Sequence, residues 1–257
     1  MTFVSPLTLN KFNSSTKLIF SLSTAPAFNL AAEEYLLSAR EDYLFLYINQ
    51  ASVIIGYNQA VVNEVDMDFC IENDIRIIRR LSGGGAVYHD SGNLNYAFIS
   101  DKKESPLNAD FLRPVIHVLQ QLDIPVEAGK RKDLWLPGGY KVSGTASHVS
   151  KGRELHHGTL LYETDLEHLK RSLNPEKRNL IARATASVPS PVKNISSFLK
   201  EEKKDPFSFR EFVKRFVDES MKHFDVGTLT SFSQADVEAI EALQREKYSQ
   251  REWNYKM

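Results

Sequence analysis

Residues 79–96 read RRLSGGGAVYHDSGNLNY, and no other stretch narrows the possible structures as far. Three successive glycines, Gly83, Gly84 and Gly85, can take backbone conformations closed to other residues and let a ligand come close to the main chain. Bare N–H groups in such a loop can hold an anion or a carbonyl oxygen. Arg79 and Arg80 stand just upstream, and the guanidinium fork suits phosphate or carboxylate. The parse is strand, glycine turn, strand, turn, strand. A Walker loop is excluded, because Gly-Lys-Ser/Thr is missing at the required offset and a strand follows where a helix should. A dinucleotide fingerprint is absent as well. The plain alternative is a glycine-rich hairpin without a ligand. The crowding of arginines, glycines, His89 and Asp90 into one segment favours a site.

Three other places can carry chemistry. In KVSGTA, Lys141 precedes the small residues Ser143, Gly144 and Thr145. An ammonium there can reach a phosphate and an acyl carbonyl together and stabilise the charge that develops between them. In HHGTLL, His156 and His157 are adjacent on an expected strand and so point to opposite faces. One of them is expected to line a pocket, and a shared metal is disfavoured. Asp133 offers the hard oxygen that Mg²⁺ takes, and it suits a turn or a cap equally well. The single cysteine, Cys70, lies between Phe69 and Ile71 with no adjoining cation, which reads as a buried small hydrophobe. No Gly-x-Ser-x-Gly elbow supports hydrolase chemistry.

The chain has 257 residues, 42% hydrophobic and 25% charged, with a net charge of -1. That is enough for a substantial core and lacks the basic excess of a nucleic-acid binder. One cysteine gives no disulfide. Residues 1–20 lack a signal-peptide apolar core, and no run approaches the length of a membrane helix, so a cytoplasmic protein away from membranes is expected. Helical spacing marks residues 26–40, with Asn29 as the cap, and residues 66–74, 110–122, 208–222 and 234–247, together with LEHLKRSL. Residues 43–48 and 52–57 read as strands joined by a turn at 49–51. Two more strands flank Pro137-Gly138-Gly139, and ELHHGTLLYET adds another. KEEKK at 200–204 reads as a solvated loop or helix end. The pattern suggests an α/β or α+β fold with a mixed, largely antiparallel sheet flanked by helices.

Taken together, FNLAAEEYLL, LFLYINQASVIIGYNQ, RRLSGGGAVYHDSGNLNY, KVSGTA, HHGTLLYETDLEHLKRSLNP and REWNY resemble the lipoate–protein ligase A family, within the biotin/lipoate ligase and octanoyltransferase group. The resemblance spans nearly the whole chain. It implies a fold similar to the catalytic domains of class II aminoacyl-tRNA synthetases and biotin ligases, with residues 1–257 as the catalytic domain. It also implies two steps: lipoate and Mg²⁺–ATP give lipoyl-AMP, and a lysine of an apo lipoyl domain then takes the lipoyl group. The implied acceptors are 2-oxoacid dehydrogenase complexes and the glycine cleavage H protein. By the same resemblance Lys141 is catalytic, bridging carboxylate and α-phosphate oxygens, and Arg80 holds phosphate. Gly85, Ala86, Val87 and Tyr88 line the adenylate and lipoyl sites, while His89 and Asn95 shape the pocket. Gly83 and Gly84 let the loop approach the ligand, with Ser143, Gly144 and Thr145 alongside. Two positions depart from the family: Tyr57 stands where arginine is common after the second strand's glycine, and Pro191 replaces an arginine of SVxSRVxN. The chain stops just after REWNY, where full-length ligases continue into an accessory domain, so a separate accessory protein is one expectation. The alternative activity is lipoyl or octanoyl transfer from a preformed acyl-AMP or acyl carrier. A thioester route is disfavoured, because no cysteine follows Lys141.

Overall fold

Branched and aromatic runs become the strands β1 (Lys17–Phe20), β2 (Tyr43–Tyr47), β3 (Ser52–Ile55), β4 (Arg76–Arg79), β5 (Val87–His89), β6 (Asn93–Asp101), β7 (Glu127–Ala128), β8 (Leu134–Leu136), β9 (Tyr140–Ser143), β10 (Thr145–Ser150) and β11 (Arg153–Leu161). The helices are α1 (Pro26–Ser38), α2 (Val61–Glu64), α3 (Met67–Glu72), α4 (Leu112–Gln121), α5 (Leu166–Ser172), α6 (Ile195–Glu201), α7 (Phe209–His223), α8 (Gln234–Leu243) and α9 (Arg251–Asn254). A π-helical turn (Gln244–Tyr248) extends α8. This computed structural model describes residues 16–104, 108–175 and 183–256. The expected lack of a signal sequence rests mostly on residues 1–15, which lie outside the described residues. Among the described residues no helix is long and apolar enough to cross a membrane.

The largest sheet has the order β1-β2-β6-β11-β10. β1 and β2 are parallel and the other pairs antiparallel, so the sheet is mixed and largely antiparallel, as the sequence suggests. β11 is buried along its whole length and β6 along all but its last residue, because helices cover both faces. Strand alternation sorts the side chains. Leu44, Leu46, Tyr96, Phe98 and Leu160 join one core with Val115, Leu119, Phe212 and Phe216 from α4 and α7. Phe45, Tyr47, Ala97 and Leu155 join a second core with Leu30, Leu36 and Ile240 from α1 and α8. Each such side chain contributes about 1.5–3 kcal/mol when fully buried.

The expected hairpin of residues 43–48 and 52–57 does not form. β2 belongs to the large sheet, whereas β3 is the centre of a second sheet, β4-β3-β5. Asn49, between them, is fully buried and hydrogen-bonded to Asn29 and His89, and the chain changes layer there instead of turning back. α2 and α3 carry the chain from β3 to β4, which lies parallel to it. The glycine segment then crosses to β5, which is antiparallel to β3 on its other side. β4 and β5 therefore do not pair with each other, and the loop between them passes over the end of β3. A Cβ on Gly56 would sit 2.2 Å from the Gly84 carbonyl oxygen, so only glycine allows that crossing. A third sheet, β7-β8-β9, holds the Pro137-Gly138-Gly139 hairpin, with positive φ at Gly138 and Gly139. Asn29 is not the cap of α1. Ala25 occupies that position, with Pro26 opening the helix, where its missing N–H costs nothing. β1, α2, β7, α6 and α9 are additional to the sequence reading.

Candidate active site

A cavity of about 300 Å³ lies between the second sheet and one face of the large sheet. Leu30, Tyr47, Ile54 and Val87 supply apolar wall, Asn95, His157 and Thr159 come from the large sheet, and Arg131, Asp133 and Lys141 lie at the hairpin end. Gly84, Gly85 and Ala86 border the cavity, facing Thr185 and Ser187.

The glycine loop is held from beneath by Arg80, which is 4% exposed. Its Nη2 donates to the Gly83 and Gly85 carbonyls at 2.6 and 2.7 Å, and Nη1 donates to the Ile54 carbonyl at 2.9 Å. Nε donates to Ser82 Oγ at 2.9 Å. Burial pushes the guanidinium down to about 10, with Glu33 and Tyr47 opposing, so it remains charged at neutral pH. Ser82 Oγ lies 2.6 Å from His157 Nε2, and His157 Nδ1 lies 2.8 Å from Glu33 Oε2. Tyr47 Oη also donates to Glu33 at 3.0 Å. A continuous buried chain thus runs from Arg80 through Ser82 and His157 to Glu33.

Arg79 has a different task. It is fully buried and donates to the carbonyls of Gly56, Tyr57 and Gln59 on one side and of Trp253, Asn254 and Lys256 on the other. It ties the loop after β3 to the C-terminal element. On that element, the Trp253 ring lies 5.8 Å from the exposed Tyr57 ring.

Lys141 lies on β9, just before the chain leaves the third sheet at Gly144 and enters the large sheet as β10. Its backbone N–H donates to the Pro191 carbonyl and its carbonyl accepts from Lys193, so the departure at Pro191 supports the strand that carries the lysine. Lys141 Nζ stands 3.5 Å from Asp133 Oδ2, and Arg131 Nε stands 3.7 Å from the same oxygen. Burial pushes the Lys141 ammonium below its usual range, while Asp133 opposes the shift. Burial would raise Asp133, but Trp135 and Lys141 outweigh it and hold the carboxyl below the usual carboxylate range. Facing the loop, Ala86 N–H donates to Ser187 Oγ at 2.9 Å. The site therefore combines two buried or half-buried cations, a glycine-loop amide and an apolar chamber, a set suited to holding an acyl group next to a phosphate.

Arg80, Gly84, Gly85, Ala86, Val87, His89, Asn95, Asp133, Lys141, Gly144 and Thr145 all border this cavity. Gly83, Tyr88 and Ser143 do not. Tyr88 alternates with Val87 and His89 on β5 and packs with Val53, Phe69 and Cys70 on the far side. Ser143 turns away to lie 3.2 Å from Tyr96 Oη. The Gly83 carbonyl accepts from Arg80. Asp90 is a turn former, accepting from Gly92 N–H and Asp165 N–H. His156 and His157 do take opposite faces: His156 stacks on Phe111 at 4.4 Å and reaches Ser147. Cys70 is buried in the cluster behind the second sheet, where burial pushes its thiol up to about 12. Glu33, Ser82, Arg131 and Ser187 were not singled out from the sequence. A signal for Glu33 exists: it follows Asn29 by four residues, on the apolar stripe of α1. Among the described residues no group of three or more His, Cys, Asp or Glu side chains is placed to hold a metal.

The sequence pattern of the lipoyl protein ligase A/B catalytic domain matches residues 25–220. The lipoate-protein ligase LplJ of Bacillus subtilis is 39% identical over 237 residues, 90% of this chain and 70% of the relative. Among solved structures, the bipartite lipoate protein ligase of Thermoplasma acidophilum, studied with its E2 lipoyl domain, superposes with a TM-score of 0.79 at 27% identity, covering 94% of this chain and 96% of that one. Lipoate-protein ligase A bound with ATP gives 0.78 at 26% identity, covering 94% and 98%.

Proposed function

The chain belongs to the lipoyl protein ligase A/B catalytic-domain family and is a lipoate ligase, and from that premise we propose that it joins lipoate to AMP and passes the lipoyl group to a lysine of a lipoyl domain. One observation carries this reading: a half-buried lysine, a glycine-loop amide and an apolar chamber converge on one cavity.

In the first step the lipoate carboxylate attacks the α-phosphorus of ATP, a new acyl–phosphate bond forms, and pyrophosphate leaves. The carboxylate and phosphate are both anions, and the Lys141 ammonium placed between them offsets their repulsion. The Ala86 N–H, now spent on Ser187 Oγ, takes an oxygen of the incoming ligand in its place. Arg80 acts by fixing the loop, since its donors are turned to the Ile54, Gly83 and Gly85 carbonyls. ATP chemistry of this kind uses Mg²⁺. Asp133 would be its carboxylate ligand, since it borders the cavity beside Lys141 and Mg²⁺ is commonly held by one or two carboxylates plus substrate phosphates. In the second step the acceptor amine attacks the acyl carbon, an amide forms, and AMP leaves. Lys141 again stabilises the oxygen charge that develops. A cysteine thioester route has no support here, since Cys70 is outside the cavity and its thiol is pushed up to about 12.

The acceptor we propose is the apo lipoyl domain of a 2-oxoacid dehydrogenase complex or of the glycine cleavage H protein. The test is a lipoylation assay with two parallel tubes, one holding lipoate, Mg²⁺–ATP and apo lipoyl domain, the other synthetic lipoyl-AMP and apo lipoyl domain. Modified domain in both tubes establishes both steps. Modification with lipoyl-AMP alone assigns adenylation to a separate partner. Failure in both refutes the proposal.

A further inference from the structure

Arg79 ends β4, and β4 is the outer strand of its sheet, so one side of Arg79 has no strand beside it. Side chains of α9 cap its main chain there. Arg79 N–H donates to Asn254 Oδ1 at 2.9 Å, and Trp253 Nε1–H donates to the Arg79 carbonyl at 2.8 Å. The Asn254 amide is fixed in that orientation, because its Nδ2 faces the Tyr248 carbonyl at 2.9 Å, and a carbonyl only accepts. Asn254 is 5% exposed, and a buried N–H left bare costs more than an ordinary hydrogen bond returns.

The Arg79 side chain carries this capping inward. Its guanidinium donates to the carbonyls of Trp253, Asn254 and Lys256. On the other side, one nitrogen, Nη1, meets the carbonyls of Gly56, Tyr57 and Gln59 at 2.8, 3.1 and 2.7 Å. The loop after β3 therefore takes its place from Arg79, and Arg79 takes its place from Asn254 and Trp253. Two contacts pass that position on to the cavity. Gly56 lies against the Gly84 carbonyl with no room for a Cβ. The Gln59 side chain accepts from Gly56 N–H at 2.9 Å and donates at 3.0 Å to Ser187 Oγ, the acceptor of Ala86 N–H. Gly84, Ala86 and Ser187 border the cavity. The next residue, Arg80, holds the Gly83 and Gly85 carbonyls, so a shift at Arg79 disturbs the glycine loop from both sides. Leu30 and Tyr47, in the apolar wall, stand on α1 and the large sheet and do not share this route.

We propose that Asn254 and Trp253 are positioning residues for the nucleotide: by holding Arg79 they set the Gly56–Gln59 loop, and with it the glycine loop, in the geometry that receives a phosphate. This rests on the function proposed above and makes α9 part of the nucleotide end of the site. Neither side chain borders the cavity, so both act through Arg79.

The experiment is calorimetric titration, well below the melting temperature, with Mg²⁺ and α,β-methylene-ATP, which cannot react at the α-phosphate, and separately with lipoate. Asn254→Leu should weaken binding of the nucleotide about tenfold, and Trp253→Phe, which keeps the ring and loses the N–H, about threefold. Lipoate affinity should stay within about twofold of the wild type in both, because the apolar wall is not held by α9. Asn254→Asp, which keeps the acceptor for Arg79 N–H, should bind the nucleotide more tightly than Asn254→Leu. Unchanged nucleotide affinity in the folded variants overturns the proposal. So does an equal loss for nucleotide and lipoate, which marks general loosening of the fold. If Asn254→Leu does not fold, Trp253→Phe decides alone by the same two readings. Wild-type protein that binds the nucleotide but releases no pyrophosphate from lipoate and Mg²⁺–ATP refutes the adenylation reading and leaves this one standing. Wild-type protein that binds no nucleotide overturns both.

Discussion

Replacing Glu33 with leucine removes the carboxylate at the end of the Arg80–Ser82–His157 chain. Arg79 and Arg80 are both buried in this region, and Glu33 is the carboxylate that opposes the burial of Arg80. The substitution also strips partners from the Tyr47 hydroxyl and from His157 Nδ1. Each polar group left bare costs about 1–3 kcal/mol, and breaking a buried charge pair costs about 3–5 kcal/mol in all. We take that range for Glu33→Leu. For a chain of this size each kcal/mol lowers the melting temperature by about 2–4 °C, so the fall should be roughly 6–20 °C. Glu33→Gln keeps the shape and one accepting oxygen. It should cost less than Leu, because an acceptor remains for Tyr47 and His157, but still destabilise, because the charge is gone and a neutral acceptor forms weaker hydrogen bonds than a charged one. Thermal and urea unfolding of the three proteins give the comparison. Glu33→Leu within about 2 °C of the wild type would refute the role of Glu33 as the counter-charge, as would a Gln variant as stable as the wild type.

Four further outcomes follow from the same geometry. Lys141→Ala should lower lipoylation by about 10²–10³-fold or more while the far-ultraviolet spectrum and melting temperature stay near wild type; normal turnover would remove Lys141 from the mechanism. Cys70→Ser should keep activity, since the thiol is behind the second sheet, and a folded but inactive Cys70→Ser protein would bring back the thioester route. Gly56→Ala should weaken ATP binding and cost about 1–3 kcal/mol, because its Cβ would meet the Gly84 carbonyl at 2.2 Å and push the glycine loop aside; fluorescence titration with a nucleotide analogue reads this, and unchanged affinity contradicts it. His89 and His156 are held down to about 3 and about 4 in the folded protein. The unfolded chain therefore gains protons first as pH falls below about 6.5, and each histidine should remove up to about 1.4 kcal/mol per pH unit down to its folded value. Urea midpoints at pH 7 and pH 5 test the sign, and His156→Gln should flatten the slope.

The helices and buried strands were legible because their signal is local. The apolar spacing of residues 110–122 and 208–222 predicts α4 and α7 to within a few residues, and the adjacent His156 and His157 split between two faces as strand geometry requires. What the sequence hid is pairing. Residues 49–51 look like a hairpin turn, yet the strands they join lie in different sheets, a choice made by the burial of Asn49 against Asn29 and His89, distant in sequence. The glycine signature named the right segment without the parity of its strand, so Tyr88 was grouped with Val87 and His89 although it faces the Cys70 cluster. Glu33 and Glu34 are neighbours of the same type. Only the helical phase shared with Asn29 marks Glu33 as the one turned inward.

Both halves of the candidate site lie where a sheet is interrupted. The glycine loop crosses from one side of β3 to the other, so Gly84 and Gly85 lie outside any ladder and Ala86 N–H turns to a serine hydroxyl. The lysine precedes Gly144, where the chain passes from the third sheet into the first, and Gly144 N–H is satisfied by the Thr159 side chain. Inside a sheet these amides would be spent on neighbouring strands. At an interruption they are held by hydroxyl groups, and an incoming ligand oxygen can replace a hydroxyl at little cost, whereas breaking a ladder would disturb the fold. The two interruptions are rigid because strands flank each of them, which places a cation and an exchangeable amide at opposite sides of one cavity before any ligand arrives.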